Sequence, residues 1–406
     1  MMKVNSFSAF NFNQINNRYS GGERYVTLPF FYDGKPASET FRDADIPMCV
    51  MSLASAGSLR YNSGRENPAR QKFLDEVLPP GIVSVPVYLV HSKTVFVAEP
   101  DASFSGGECL AASGDGDNTG DGNKTGDGGI RLFEPESHKA FRPGAEGDGI
   151  ITSCRSFAPC VTAADCMPVF LWDSRTGAFG ICHSGWKGTG IAAKAVSLIC
   201  ARFGANPADI CVILGPHIHE CCYTVDAERA AYFRREFSPD CVSSCENDAP
   251  CPPADTAVAV ATVCGAKMVA GDSGVLDMAS GGGGGVLSGK YRLSLARANI
   301  VSLVNAGIKP ENILHCTDCT SCFSLPATSG ADNTASGSTS PDASGTPATA
   351  GLRDAGARFF PYGSFRRQTA HLPEGTPLEE RFKVFSAMAA VIGYGIAGAY
   401  NDLHNR

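Results

Sequence analysis

Short apolar runs alternate with stretches of helical periodicity along most of this chain. PVYLVHSKTVFVA (86–98) reads as a strand or hairpin with His91 in its middle. VTAADCMPVFLWD (161–173) reads as a buried strand beginning near Cys166, and GAFGICHSG (177–185) as a second strand ending at His183. The Thr-Gly pair between them, in SRTGAFG, predicts a hairpin turn. GIAAKAVSLICARFG (190–204) spaces its apolar residues at helical intervals and stops at Gly204. SLARANIVSLVNAGI (294–308) is a second such helix, stopped by Gly307, and DICVILGPHI (209–218) is a further strand. The mixture predicts an α/β fold of the mixed, α+β kind.

Three segments follow neither period: about 100–130, 238–288 and 325–357. The first holds GDGDNTGDGNKTGDGG, whose Gly-Asp repeat resembles a calcium loop but lacks the bidentate Glu and flanking helices of an EF-hand. The second includes the run Gly281 to Gly285, and the third is rich in Ser, Thr, Gly, Ala and Pro. Such segments bury too little to offset their ordering entropy and read as surface insertions. Removing them leaves roughly 290 residues, a size that one domain accommodates. The expected organisation is a single domain over 1–406, with a core at about 20–99, 131–237, 289–324 and 358–400.

Composition narrows the function classes. A formal net charge of -7 over 406 residues lacks the basic footprint that non-specific nucleic-acid binding needs. The N-terminus, MMKVNSFSAFNFNQINN, has one Lys and no continuous apolar core, so it does not read as a signal peptide. VFSAMAAVIGYGIAGAY near the C-terminus is apolar but short for a membrane span and reads as buried core. A cytoplasmic location is expected, with most of the 17 cysteines packed as small hydrophobes.

His91, Cys166 and His183 are the candidate metal ligands. The last two lie on consecutive strands of the predicted hairpin. Two imidazoles and one thiolate leave a fourth position open, which is the catalytic arrangement of zinc; copper also accepts imidazoles in vitro. The same residues also read as a buried cysteine and two ordinary histidines. In SGWKGTG, Gly185 and Gly188 let the backbone approach a ligand, Lys187 adds a positive charge, and the following helix offers its N-terminus to an anion. A plain glycine-rich strand–helix turn is the alternative. Arg366 and Arg367 in GSFRRQ can clamp phosphate or pair on the surface. Asp165, beside Cys166, can orient a ligand, shuttle a proton or bond the backbone of a turn. CTDCTSC (316–322) has no second CxxC or HxxxH at a suitable spacing, so it reads as structural, as does the Cys221–Cys222 pair. His217 and His219 read as solvated.

These motifs resemble those of the YfiH/LACC1 family, often labelled laccase-domain or polyphenol oxidase. TAADCMPVFLWD and GAFGICHSGWKGTG resemble its T-A-D-C-x-P-V and H-A-G-W-R-G-T signatures. LVHSKTV, LGPHIHECCYTVD, ARANIVSLVNAGIKPENILHCTDCT and GSFRRQ match further family motifs in family order, from about 85 to 390. The resemblance implies an α/β/β/α layered core with metal ligands at His91, Cys166 and His183. It implies metal-dependent phosphorolysis of adenosine, inosine, guanosine and methylthioadenosine, together with adenosine deamination. Cys166, His183 and Asp165 would then be catalytic. Lys187, Gly185, Gly188, Arg366 and Arg367 would hold phosphate or substrate. The expected cofactor is Zn2+, and the expected partners are purine nucleosides and inorganic phosphate, with no nucleic acid and no membrane. The chain departs from the family at Leu89 for Gln, Lys187 for Arg and Ser294 for Asp. Lys keeps the charge and loses the bidentate fork. A copper phenol oxidase, a hydrolase with Cys166 as nucleophile and His183 as base, and a non-enzymatic partner role are the competing readings.

Overall fold

The computed structural model describes residues 8–10, 23–61, 66–101, 130–135, 137, 139–245, 290–326, 353–354 and 358–396. Two sheets dominate them. The larger has nine strands in the order Ser8–Phe10, Ile313–Cys316, Ile210–Leu214, Met167–Asp173, Phe179–Ser184, Gly149–Thr152, Val95–Pro100, Ile130–Glu134 and Lys139–Phe141. The smaller has five, in the order Tyr25–Leu28, Met48–Ser52, Met388–Gly393, Phe157–Ala163 and Val83–Pro86.

The alternation of side chains along the strands builds three layers of core. Phe170, Trp172, Phe179 and Ile181 of the larger sheet meet Met51, Phe157, Val161, Met388 and Ala390 of the smaller in one cluster between the sheets. The intervening residues Met167, Val169, Leu171 and Cys182 face the opposite way, onto the helices Ile191–Phe203, Ala227–Glu236 and Leu295–Asn305. On the far side of the smaller sheet, Val50, Ala158, Cys160 and Val391 pack on the helix Pro68–Val77. The result is the α/β/β/α sandwich. Strands covered on both faces have no polar side to show, which is why they appear in the sequence as continuous apolar runs. Each fully buried aliphatic or Phe side chain contributes about 1.5–3 kcal/mol.

The predicted hairpin forms: Met167–Asp173 pairs antiparallel with Phe179–Ser184, and Gly177 at the turn takes φ 73°. Both predicted helices form, and Gly204 caps the first at φ 68°. The C-terminal apolar stretch supplies Met388–Gly393, a fully buried strand inside the smaller sheet. Among the described residues, no helix is long and apolar enough to cross a membrane.

Two expectations are corrected. Residues 86–98 are not one strand or a hairpin, because Val83–Pro86 lies in one sheet and Val95–Pro100 in the other. The apolar runs are real, but periodicity does not reveal that the chain changes sheets between them. The second insertion begins later than 238: Pro239–Cys241 forms a helical turn and Val242–Ser244 pairs with Tyr291–Leu293, with Cys241 fully buried. Most of the three insertions (102–129, 246–289 and 327–352) lies outside the described residues. Among the cysteines, Cys154 is disulfide-bonded and is also packed in the core between the sheets.

Gly180 sits where the His183 strand passes Ile151. A Cβ there would fall 2.3 Å from the Ile150 carbonyl oxygen. Gly180→Ala is therefore expected to lower stability by about 1–3 kcal/mol through overpacking. Urea unfolding monitored by Trp fluorescence measures it, and an unchanged midpoint would mean that these strands stand further apart.

Candidate metal centre

The chain passes between the sheets at two neighbouring places. One crossing, 87–94, leaves Val83–Pro86; the other, 164–166, leaves Phe157–Ala163, which pairs in parallel with it. His91 lies on the first crossing and Cys166 on the second. His183 stands near the end of its strand, opposite Pro168. Alternation then puts Cys166 and His183 on the same face of the hairpin. The ligand atoms of His91, Cys166 and His183 all lie within 4.8 Å of one another. The two imidazoles meet edge to face with ring centroids 5.0 Å apart. His183 is buried, Cys166 half-buried and His91 exposed, so the group opens to solvent on the His91 side.

Asp148 holds this arrangement and escaped the sequence reading. Its carboxylate is fully buried. Oδ1 accepts the His91 amide at 3.0 Å and lies 2.9 Å from His183 Nδ1. Oδ2 accepts the Ser92 amide at 2.6 Å and its hydroxyl at 2.8 Å. The His183 amide donates to the Asp148 carbonyl at 2.7 Å. Burial alone would raise the Asp148 pKa, but the imidazole and the Ser92 donors outweigh it and hold the carboxylate below its ordinary value. The only sequence sign of this role is a single acidic residue between glycines ahead of an apolar strand, in EGDGIITS.

The electrostatics favour a thiolate. Burial raises the Cys166 thiol, yet His183 and then His91 bring it down to about 6. Burial lowers His183, while Cys166 and Asp148 lift it to about 10. Three non-glycine residues among those described have positive φ: Asp33, His91 (59°) and Asp165 (81°). Two of the three flank or belong to this site, and such backbone costs about 1–3 kcal/mol each.

Asp165 turns away from the ligand trio. Its Oδ1 accepts the Thr320 hydroxyl at 2.7 Å and its Oδ2 the Arg366 amide at 2.7 Å. Burial dominates and raises its pKa. Through these two bonds it fixes the segments beneath Cys166. Gly185 and Gly188 are buried beside the ligands: a Cβ on Gly185 would lie 2.9 Å from Cys166 Sγ and 3.3 Å from His91 Cδ2. Lys187 is exposed, with Nζ 5.4 Å from the Trp186 ring centroid. Arg229, which the sequence reading also missed, lies over the same ring at 4.1 Å. Tyr223 joins this group, hydrogen-bonded to Arg229 and within electrostatic range of Cys166 and Arg366. Arg366 is exposed and donates to Thr224 Oγ1 at 3.1 Å. Arg367 is held differently, by the carbonyls of Thr320, Ser321 and Tyr362 at 2.6, 3.1 and 2.5 Å. Its fork is thereby tied to main-chain carbonyls.

His217 is buried and His219 half-buried, so neither is the freely solvated side chain expected. They stack with centroids 4.2 Å apart, and His315 stacks on His219 at 5.4 Å. Burial lowers His219 to about 4 and His315 to about 3, so both are neutral. They fill the space under the loop that follows Cys316.

The trio fits a metal. Its donors are two imidazoles and a thiol already shifted toward thiolate. Asp148 binds the distal nitrogen of His183, which aims the other nitrogen at Cys166. The glycine at 185 leaves the space beside the sulfur that a side chain would fill.

Parts of the chain are similar to known proteins. Residues 85–271 match the family described as multi-copper polyphenol oxidoreductase laccase. The chain is 37% identical to the Mus musculus protein named purine nucleoside phosphorylase LACC1 over 119 residues, 29% of this chain and 25% of that one. It is 29% identical to the Geobacillus stearothermophilus purine nucleoside phosphorylase YlmD over 177 residues, 43% of this chain and 51% of that one. It is 36% identical to adenosine deaminase RL5, from an unknown prokaryotic organism, over 89 residues, 22% of this chain and 34% of that one. The matched stretches thus span from about a quarter to about half the length of these relatives. The laccase-domain match encloses His91, Cys166 and His183, and over this part of its length the chain is similar to proteins of the YfiH/LACC1 type.

Proposed function

We propose that the chain is a zinc-dependent purine nucleoside phosphorylase that also deaminates adenosine, working in the cytoplasm as one domain with surface insertions. The observation that carries the reading is the convergence of His91, Cys166 and His183 on one point, open on the His91 side, with Lys187 and Arg229 on the ring of Trp186 in the loop that follows His183. The names of the relatives support the purine assignment. His91, Cys166 and His183 would hold a divalent zinc, which would supply Lewis acidity to the reaction.

In phosphorolysis, a phosphate oxygen bonds to C1′ of the ribose as the C1′–N bond breaks. The electron pair leaves with the purine base, which takes up a proton. Lys187, Arg229 and Arg366 hold the phosphate and offset the charge that builds during transfer. Trp186 and Tyr223 offer ring faces to the base or sugar. Asp148 keeps His183 in one tautomer, with its proton on Nδ1. Asp165 positions the Thr320 and Arg366 segments and touches no substrate. In deamination, water adds to C6 of adenosine and ammonia leaves, which needs no phosphate.

One observation favours a second reading. Cys166, His183 and Asp148 form a thiol–imidazole–carboxylate relay, the arrangement of a cysteine hydrolase. His91 is superfluous in a hydrolase and required in a metal site.

Asp148→Asn keeps the shape and removes the charge. It is expected to weaken zinc binding by about 10–100-fold. A competition titration against a chromogenic chelator measures this, and unchanged affinity would remove Asp148 from the supporting role. Adenosine incubated with the purified protein is expected to give adenine and ribose 1-phosphate only when phosphate is present, and inosine with or without it. His183→Ala should abolish both products while keeping a native circular-dichroism spectrum, and Lys187→Ala should raise the phosphate KM roughly tenfold. Turnover at the wild-type rate by His183→Ala would overturn the reading. Turnover that survives chelation but not iodoacetamide would put the hydrolase in its place.

A further inference from the structure

The larger sheet brings together two cysteine pairs that lie far apart in sequence. Ile210–Leu214 and Ile313–Cys316 are parallel neighbours, so the loops that follow them leave the same sheet edge. The first loop carries Cys221 and Cys222, the second Cys319 and Cys322. A bridge between His217 and Cys319 joins the loops, and the Thr320 amide donates to the His217 carbonyl at 2.9 Å. In the first loop, the amides of Cys222 and Tyr223 both bond the His219 carbonyl at 2.9 Å, a tight turn that turns adjacent thiols the same way. In the second, the Phe323 amide closes a turn on the Cys319 carbonyl at 2.9 Å.

The four sulfurs all lie within 4.8 Å of one another. Cys221 Sγ is 3.9 Å from Cys222 Sγ and 3.6 Å from Cys322 Sγ. These distances are far beyond the ~2.05 Å of a disulfide. A tetrahedral zinc with bonds of about 2.3 Å places its sulfurs about 3.8 Å apart. Cys319 is buried and the other three are half-buried, which leaves an entry from solvent.

We propose that Cys221, Cys222, Cys319 and Cys322 bind a second metal ion, a closed tetrathiolate site for zinc, separate from the His91–Cys166–His183 trio. The surroundings suit it. Four thiolates on a divalent ion leave a net negative charge. The His219 amide points at Cys319 Sγ from 3.4 Å, the donor that a metal thiolate accepts. The Arg367 guanidinium is locked onto the carbonyls of Thr320 and Ser321, between the cysteines of the second loop, and its charge faces Cys319, Cys322 and Cys222. With no open position, the ion is structural. It fastens Thr320, whose hydroxyl holds Asp165 next to Cys166, and so steadies the first site from below.

His183→Ala protein isolates the second site, because it loses a ligand of the first. Loaded with zinc and freed of excess, it is expected to retain about one ion per chain by elemental analysis, against about two in the wild type. Loaded with cobalt instead, it should show the intense sulfur-to-metal charge-transfer absorption of four thiolates. Adding Cys319→Ser and Cys322→Ser should remove both signals. Retention of no metal by His183→Ala would overturn the proposal, as would a cobalt spectrum without thiolate bands. Intact mass of the unreduced wild-type protein, with trypsin mapping, provides a check that needs no variant: a disulfide within this group of four would also overturn it.

Discussion

A carboxylate with no exposure to solvent is costly unless every lone pair finds a donor, and Asp148 finds them all at the place where the chain changes sheets. The amides of His91 and Ser92 converge on it, joined by the Ser92 hydroxyl. Consecutive amides reach one acceptor only where the backbone leaves the extended form, and His91 does so at φ 59°. The buried charge therefore sets the turn, and the turn sets where the His91 ring goes. The same carboxylate fixes which nitrogen of His183 is free. Removing the carboxylate would leave these donors without their acceptor and both imidazoles unaimed.

Asp165 repeats the pattern at the other crossing with the opposite electrostatic result. It too is buried, has positive φ at 81° and adjoins a ligand. Its donors are a hydroxyl and an amide, both neutral, and burial prevails. Asp148 faces an imidazole, and attraction prevails. Two buried aspartates thus share a geometry and differ in role. One tunes the ligands, and the other fastens the loops that approach them from beneath.

The sequence made some of this legible for definite physical reasons. Strands covered on both faces must be apolar throughout, so the Cys166 and His183 strands stood out, and their hairpin turn carried its own Gly177. His91 was found as a residue, but its local structure was misread, because an apolar run looks the same whether it continues in one sheet or moves to another. Asp148 left almost no trace: one carboxylate between glycines gives no pattern, and its importance lies in partners 35 and 57 residues away. The polar spelling of PHIHE suggested solvent, yet the loop after Cys316 covers it. Cys221–Cys222 and Cys319–Cys322 looked isolated because the pairing of two parallel strands, which periodicity does not encode, brings them together. Arg367 looked free for an anion, and only the fold reveals the three carbonyls that hold it.

The difference in how residues are held separates what can change from what cannot. His183 is tied by its main chain and its ring to one buried carboxylate, and Asp165 by two short bonds. Lys187, Arg229 and Arg366 rest on ring faces or on Thr224, with far looser attachment. Exchange of one cation for another there alters the fit of a ligand while leaving the trio and its supports untouched. Lys187, where the family pattern has Arg, is such an exchange: it keeps the charge, gives up the planar fork and disturbs no buried contact. The rim is thus the part of this site where side chains can change freely, while the buried carboxylates hold the geometry of the trio fixed.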